Sequence, residues 1–381
     1  MKSYLDNAAT TKVDEKVLKT MLPYFNVNYG NASSLHLRGG EAKGALEKAR
    51  KIIAKSLNSK TSEIYFTSGG TEGNNWALKG LFWENFSNGK NHIITTKIEH
   101  DAILNVCKWL EQEGAKITYL DVDKEGFIDL KQLEKTITDK TFLVSIIHGN
   151  NEIGTIQDLE AIHKITQAHN IPLHTDACQS YTKVPLNSKQ AELITINAHK
   201  IHGPKGVGGL YIKDGIKITP LMQGGGHEKK HRSGTENISG IVGFAKAVEI
   251  SNRKETKKMF ELRDYFIEKI LKTIPNSKLN GATGYNRLPN NVNISFMNVE
   301  GEAIGGYLEN KGIFVSTGSA CMSNTLASSH VLKALNLTDL EQNSSIRLSL
   351  SKYTTKKEID YVLKVLPRVI EKLRKLSPLL K

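Results

Sequence analysis

Short apolar runs that read as strands alternate with helical patterns through the first half of this chain, and that alternation leaves few folds open. The runs are Ile64 to Phe66, His92 to Thr95, Ile117 to Leu120, Phe142 to Ile147, Ile171 to Thr175 and Leu193 to Ile196. Between them lie helical patterns at His100 to Glu113, Asp129 to Thr136 and Leu159 to His169. Strands alternating with helices predict an α/β architecture, a mostly parallel central sheet wrapped by helices. In such a sheet ligands bind beyond the carboxyl ends of the strands, so the residues that follow each run matter most.

Those residues are polar and small. Ile171 to Thr175 leads into Asp176-Ala177-Cys178-Gln179-Ser180, and Leu193 to Ile196 into Asn197-Ala198-His199-Lys200, followed by a Gly-Pro-Lys-Gly turn. A carboxylate and an amine facing one crevice suit pyridoxal phosphate, with Lys200 as the Schiff-base group and Asp176 as partner of the protonated ring nitrogen. The residues alone leave a plainer alternative open, in which Asp176 caps a helix and Lys200 is a solvated lysine. Thr67-Ser68-Gly69-Gly70-Thr71 carries a strand into a helix, and its free N–H groups suit a cofactor phosphate. His100 opens a helix at the same edge, where stacking on a flat ring and helix capping are equally open. The insertion from His148 to Gly154 contains Asn151.

With 381 residues, one large and one smaller domain are expected. The expected division is an N-terminal arm at 1–13 lying on the small domain, a large domain at 14–250, and a small α+β domain at 251–381. One helical stretch, from Asn237 to about Leu271, is expected to link them. Cys107, Cys178 and Cys321 are too few and too scattered for a disulfide framework, which points to a reducing cytoplasm. No apolar run approaches the roughly 18 residues of a membrane helix. The net charge of +13 is spread along the chain, so direct nucleic-acid binding is not expected. Cys321 sits in a small, polar stretch at 316–330, the composition of a flexible loop, where a thiol can travel and react. Cys107 falls on the apolar face of a helix.

Taken together, Tyr-Leu-Asp-Asn-Ala-Ala-Thr-Thr at 4–11, the Gly70 loop, Glu99-His100, Asn-Asn-Glu-Ile-Gly at 150–154, the Asp176 and Lys200 segments, Arg-Ser-Gly-Thr-Glu-Asn at 232–237, Gly-Ser-Ala-Cys at 318–321 and Ser-Ser-Ile-Arg-Leu-Ser at 344–349 closely resemble the pyridoxal-phosphate cysteine desulfurases of the class V aminotransferase superfamily. The resemblance implies a type I fold and a homodimer. It implies Lys200 as the Schiff-base lysine, Asp176 on the ring nitrogen, Gln179 on the ring hydroxyl, and His100 as stacking acid–base. Asn151 would touch cofactor and substrate, and Arg347 would hold the substrate carboxylate. Phosphate contacts would come from Gly70, Thr71, Asn197, His199 and, across the dimer, Thr235. Cys321 would take sulfur from L-cysteine and pass it to an iron–sulfur scaffold protein or a tRNA-thiolation enzyme.

Three features depart from the family pattern: Asn197 replaces a usual serine, Ala327 a common proline, and Lys381 ends the chain without the longer tail of some relatives. Selenocysteine lyase or an aminotransferase of the same superfamily is the alternative activity. His227-Glu228-Lys229-Lys230-His231 also matches the H-E-x-x-H zinc pattern, the remote alternative of a metallohydrolase. Asn237 stands where a third histidine belongs and three glycines precede the segment, so no metal site is expected there.

Overall fold

The structure, a computed structural model, describes residues 1–317 and 329–376. The chain opens with β1 (Ser3–Tyr4). Seven strands then build one sheet: β2 (Ile64–Thr67), β3 (His92–Thr96), β4 (Lys116–Leu120), β5 (Thr141–Ser145), β6 (Leu173–Asp176), β7 (Leu193–Asn197) and β8 (Gly208–Ile212). Their spatial order is β2-β8-β7-β6-β5-β3-β4. Every pair from β7 across to β4 is parallel, whereas β8 runs antiparallel to both neighbours. Most of these strands are buried along their whole length, as expected for a sheet covered on both faces. Ile94, Val144 and Ile194 face one apolar cluster, while Ile93, Leu143 and Leu193 face another.

β8 has no counterpart among the predicted strands. It begins Gly208-Gly209, residues that weaken a strand pattern, yet the fold requires the first of them. A Cβ on Gly208 would lie 2.7 Å from the Ile196 carbonyl oxygen and 2.8 Å from Gly69 Cα. The expected single helix from Asn237 is two helices, Ile238–Ile250 and Arg253–Thr273. Asn252 separates them with extended backbone, and its side chain accepts from the Glu255 N–H at 3.0 Å as an N-cap.

The remaining strands are β9 (Ser277–Leu279), β10 (Asn291–Phe296), β11 (Ile313–Phe314), β12 (Ser316–Thr317) and β13 (Ser345–Ser349). Four of them form an antiparallel sheet in the order β12-β13-β10-β9. Its own core joins Phe266, Ile270, Val292, Ile294, Ile346 and Leu348 to Ile359, Val362 and Leu366 of the helix Lys356–Leu376. The N-terminal arm lies on this smaller lobe. β1 pairs in parallel with β11, Leu5 is buried in the small-lobe core, and Asp6 bridges Ser349. Among the described residues, no helix is long and apolar enough to cross a membrane.

Candidate active site

The parallel strands bring four polar segments to one edge of the large sheet: those after β3, β5, β6 and β7. Asp176, the last residue of β6, is buried. Its Oδ2 accepts from Asn74 Nδ2 at 2.7 Å and its Oδ1 from the Cys178 N–H at 2.9 Å. Burial pushes the carboxyl up, but His100 and these donors outweigh it and hold Asp176 below the usual carboxylate range. The result is a buried, ionised carboxylate at the strand edge. Asn74 was not among the expected site residues, although it lies one helical turn beyond Gly70.

His100 is the N-cap of the helix Asp101–Gln112, where its Nδ1 accepts from the Ala102 N–H at 3.0 Å. That bond needs an unprotonated Nδ1, which makes the ring neutral with its proton on Nε2, and burial lowers the pKa in the same sense. Capping therefore uses Nδ1 and leaves Nε2–H for a ligand. The preceding Glu99 is buried. Its Oε1 accepts from Thr96 Oγ1 and the Ile147 N–H, its Oε2 is buried without a partner, and burial raises its pKa to about 8.

Lys200 follows β7 and is half-buried. The neighbouring His199 offers Nδ1 to Thr10 Oγ1 at 3.2 Å, and its carbonyl accepts from Thr11 N–H and Oγ1. Burial and then Lys200 press the His199 pKa down to about 4, so this imidazole is also neutral. Gln179 donates from Nε2 to the Ala8 carbonyl at 2.8 Å, while its Oε1 is buried without a partner. Lys183, another residue not singled out in the sequence, donates from Nζ to the Gln179 carbonyl at 2.8 Å. Its burial, with Lys200 nearby, lowers its pKa to about 7.

Gly70 and Thr71 begin the helix Gly70–Phe86, which has no side-chain cap at its N-terminus. Its first N–H groups therefore keep their capacity to bind an anion. The helix start packs so closely on the β6 turn that a Cβ on Gly70 would lie 2.5 Å from Cys178 Sγ. Beside it Asn197 keeps a buried Oδ1 without a partner. Cys178 is thus wedged below the Gly70 turn, and burial raises its thiol pKa. Cys107 is buried in the large-lobe core.

Arg347 reaches this edge from β13 in the smaller lobe. Its Nη1 donates to the Asn151 carbonyl at 3.0 Å, its Nη2 to Asp6 Oδ1 at 3.0 Å, and its Nε is buried without a partner. Thr235 is exposed on the loop before the helix Ile238–Ile250. That loop is fastened to the Gly70 helix, since Arg232 pairs with Glu72 at 2.8 Å. Cys321 lies outside the described residues. The residues flanking its segment meet the site from both sides: Ser316 is opposite Arg347, Ser329 Oγ donates to Glu152, and His330 Nε2 meets the Glu99 carbonyl at 2.8 Å.

The H-E-x-x-H segment takes a different shape from a zinc-binding helix. Glu228, Lys229 and Lys230 all have positive φ, between 43° and 68°. Glu228 takes both Arg50 Nη1 and Nη2 at 2.7 Å and the Phe66 N–H at 2.8 Å, which occupies its carboxylate. Among the described residues, no group of three or more His, Cys, Asp and Glu is placed to hold a metal ion.

The aminotransferase class-V family pattern matches residues 3–362. The cysteine desulfurase IscS of Dictyoglomus turgidum is 49% identical over 380 residues, covering 98% of this chain and 96% of that protein. The cysteine desulfurase IscS of Methanosarcina thermophila is 46% identical over 381 residues, covering 99% and 94%. Among solved structures, a NifS-like protein superposes with a TM-score of 0.91 at 40% identity, covering 98% of this chain and all of that one. Another, described as SspA in complex with cysteine, gives 0.82 at 36% identity, covering 93% of this chain and 100% of that one.

Proposed function

The chain belongs to the class-V aminotransferase family and is a cysteine desulfurase with the type I fold; on that premise we propose that it works with pyridoxal phosphate, through Lys200, Asp176, His100, Arg347 and Cys321. The observation that carries this reading is Asp176, buried yet ionised at the same edge as Lys200 and the neutral His100. A buried carboxylate held in its charged form suits a cationic ring nitrogen. The residues around it fit the rest of the group. The uncapped Gly70 helix offers N–H donors to a phosphate, and the unpartnered Gln179 Oε1 is an acceptor suited to a ring hydroxyl. Bound there through Lys200, pyridoxal phosphate supplies an electron sink for the bonding pair of the substrate's α-hydrogen.

The chain's own groups then have separable tasks. Asp176 holds the charge that keeps the ring electron-poor. His100, with its proton on Nε2, stacks and moves protons. Arg347 takes the α-carboxylate of L-cysteine, and Lys200 Nζ exchanges the α-proton. The Cys321 thiolate attacks the substrate sulfur, so that a sulfur–sulfur bond forms as the carbon–sulfur bond breaks. A proton replaces sulfur on the substrate β-carbon, leaving L-alanine and a Cys321 persulfide. Thr235, on an exposed loop, serves the phosphate site of a second copy in a homodimer. The sulfur passes to an acceptor protein, for which an iron–sulfur scaffold is the proposed partner.

The test is the visible spectrum of the purified protein, followed by alanine assay and intact mass after adding L-cysteine. A yellow protein that releases alanine and gains one sulfur, lost in Cys321→Ser, supports the assignment. A colourless protein that pyridoxal phosphate cannot reconstitute overturns it, as does a persulfide carried on Cys107 or Cys178.

A further inference from the structure

Arg347 already faces a carboxylate before any substrate arrives. Its Nη2 donates to Asp6 Oδ1 at 3.0 Å and its Nη1 to the Asn151 carbonyl, and Nε alone of the three nitrogens is buried without a partner. Asp6 is held in this place by its backbone. The Ser349 N–H donates to the Leu5 carbonyl at 2.6 Å, Asn7 Nδ2 to the Ser349 carbonyl at 2.9 Å, and the Ala8 N–H to Ser349 Oγ at 2.8 Å. Arg347 lies two residues away on the same strand, so the arm and the guanidinium have one shared frame.

The charges then decide what this corner accepts. Asp6 and Arg347 sum to zero, and with one N–H each of Nη1 and Nη2 engaged, three of the five guanidinium N–H groups remain for an incoming acid group. An α-carboxylate completes the corner as an anion. A second carboxylate on the same substrate would meet Asp6 with no further guanidinium to neutralise it, whereas a thiol side chain carries no such penalty. We infer that Asp6 is a specificity-determining residue, which aligns Arg347 for a single α-carboxylate and disfavours amino acids with an anionic side chain. This inference rests on Arg347 being the substrate-carboxylate anchor.

The test compares the wild-type holoprotein with Asp6→Asn, Asp6→Ala and Arg347→Lys, measuring KM for L-cysteine and competitive inhibition by L-alanine and L-aspartate. Asp6→Asn keeps an oxygen acceptor for Nη2 and removes only the charge. The ratio of the L-aspartate to the L-alanine inhibition constant should fall roughly tenfold in Asp6→Asn, and further at low ionic strength. Asp6→Ala also loses the alignment, so it should raise KM for L-cysteine more than Asp6→Asn does. The inference is overturned if that ratio stays within about twofold of wild type in Asp6→Asn while Arg347→Lys raises KM. If Arg347→Lys leaves KM and both inhibitors unmoved, the anchor assignment itself fails.

Discussion

Glu228 offers a sharp test of how the loop carrying Thr235 is held. Its carboxylate and the Arg50 guanidinium are each 3% exposed and joined by two bonds of 2.7 Å. Glu228→Ala removes both bonds and the acceptor of the Phe66 N–H. Arg50 would keep the Ile64 carbonyl and Glu47, whose side chain is 52% exposed. Breaking a buried pair from one side costs about 3–5 kcal/mol, because a charge is left without its partner. A specific unfolding entropy of about 2.1 cal/mol/K per residue turns this into a fall of roughly 4–6 °C in Tm for a chain of this size. Replacing both partners with Met removes the stranded charge, and the remaining loss should be about 1–2 kcal/mol, mostly the orphaned Phe66 N–H. Calorimetry on the two single variants and the double variant gives the coupling directly. A fall below about 1 °C in Glu228→Ala, or a double variant as unstable as the single one, would refute the reasoning. So would stoichiometric zinc in the purified protein that disappears in His231→Ala.

Three further outcomes are expected. Glu99 has its pKa raised from 4.5 to about 8 by burial, so its contribution to stability is full below pH 4.5 and is lost as pH rises toward 8. Glu99→Gln should therefore gain on wild type between pH 5 and 8, by up to roughly 4–5 kcal/mol; parallel Tm-against-pH curves would sink this. Gly70→Ala should cost about 1–3 kcal/mol through its clash with the buried Cys178 Sγ. Adding Cys178→Ala should recover much of that loss, and no recovery in denaturant midpoints would mean the turn does not pack as described. Cys321→Ser should abolish persulfide formation while leaving the visible spectrum of the loaded protein intact, and retained turnover that leaves the substrate carbon–sulfur bond unbroken would point to aminotransferase-like chemistry instead.

The large sheet was legible because buried parallel strands are written as apolar runs, and each polar interruption marks a strand end. Asp176, His100 and Lys200 could be picked out for that reason. β8 escaped because it opens on two glycines, the first of which the close backbone approach to Gly69 and Ile196 requires, and this erases the usual strand signal. Asn252 ended a helical pattern that otherwise runs on without a proline, through capping geometry that a periodicity does not register. The sequence marked Arg347 and the arm separately, but their meeting at Asp6 is a contact across 341 residues with no local pattern. Lys183 and Asn74 were hidden differently. Each looks like an ordinary helix or turn residue until burial and the distances to Gln179 and Asp176 are known.

The arm also sets the order in which the molecule can be completed. Asn7 emerges first from the ribosome, yet its amide bonds to Ser349, 342 residues downstream. The large sheet draws all its strands from residues before Lys213, so it can form while the smaller lobe is still being made. The arm cannot dock until β13 exists. Through most of synthesis its polar residues have nothing to pair with, and their mixed composition keeps such a waiting segment soluble. Closing so long a loop is slow, and docking of the arm is expected to be a late step of folding. A truncated chain that lacks β13 would have its large sheet, Asp176 and Lys200, but neither Arg347 nor the frame that fixes Asp6 beside it.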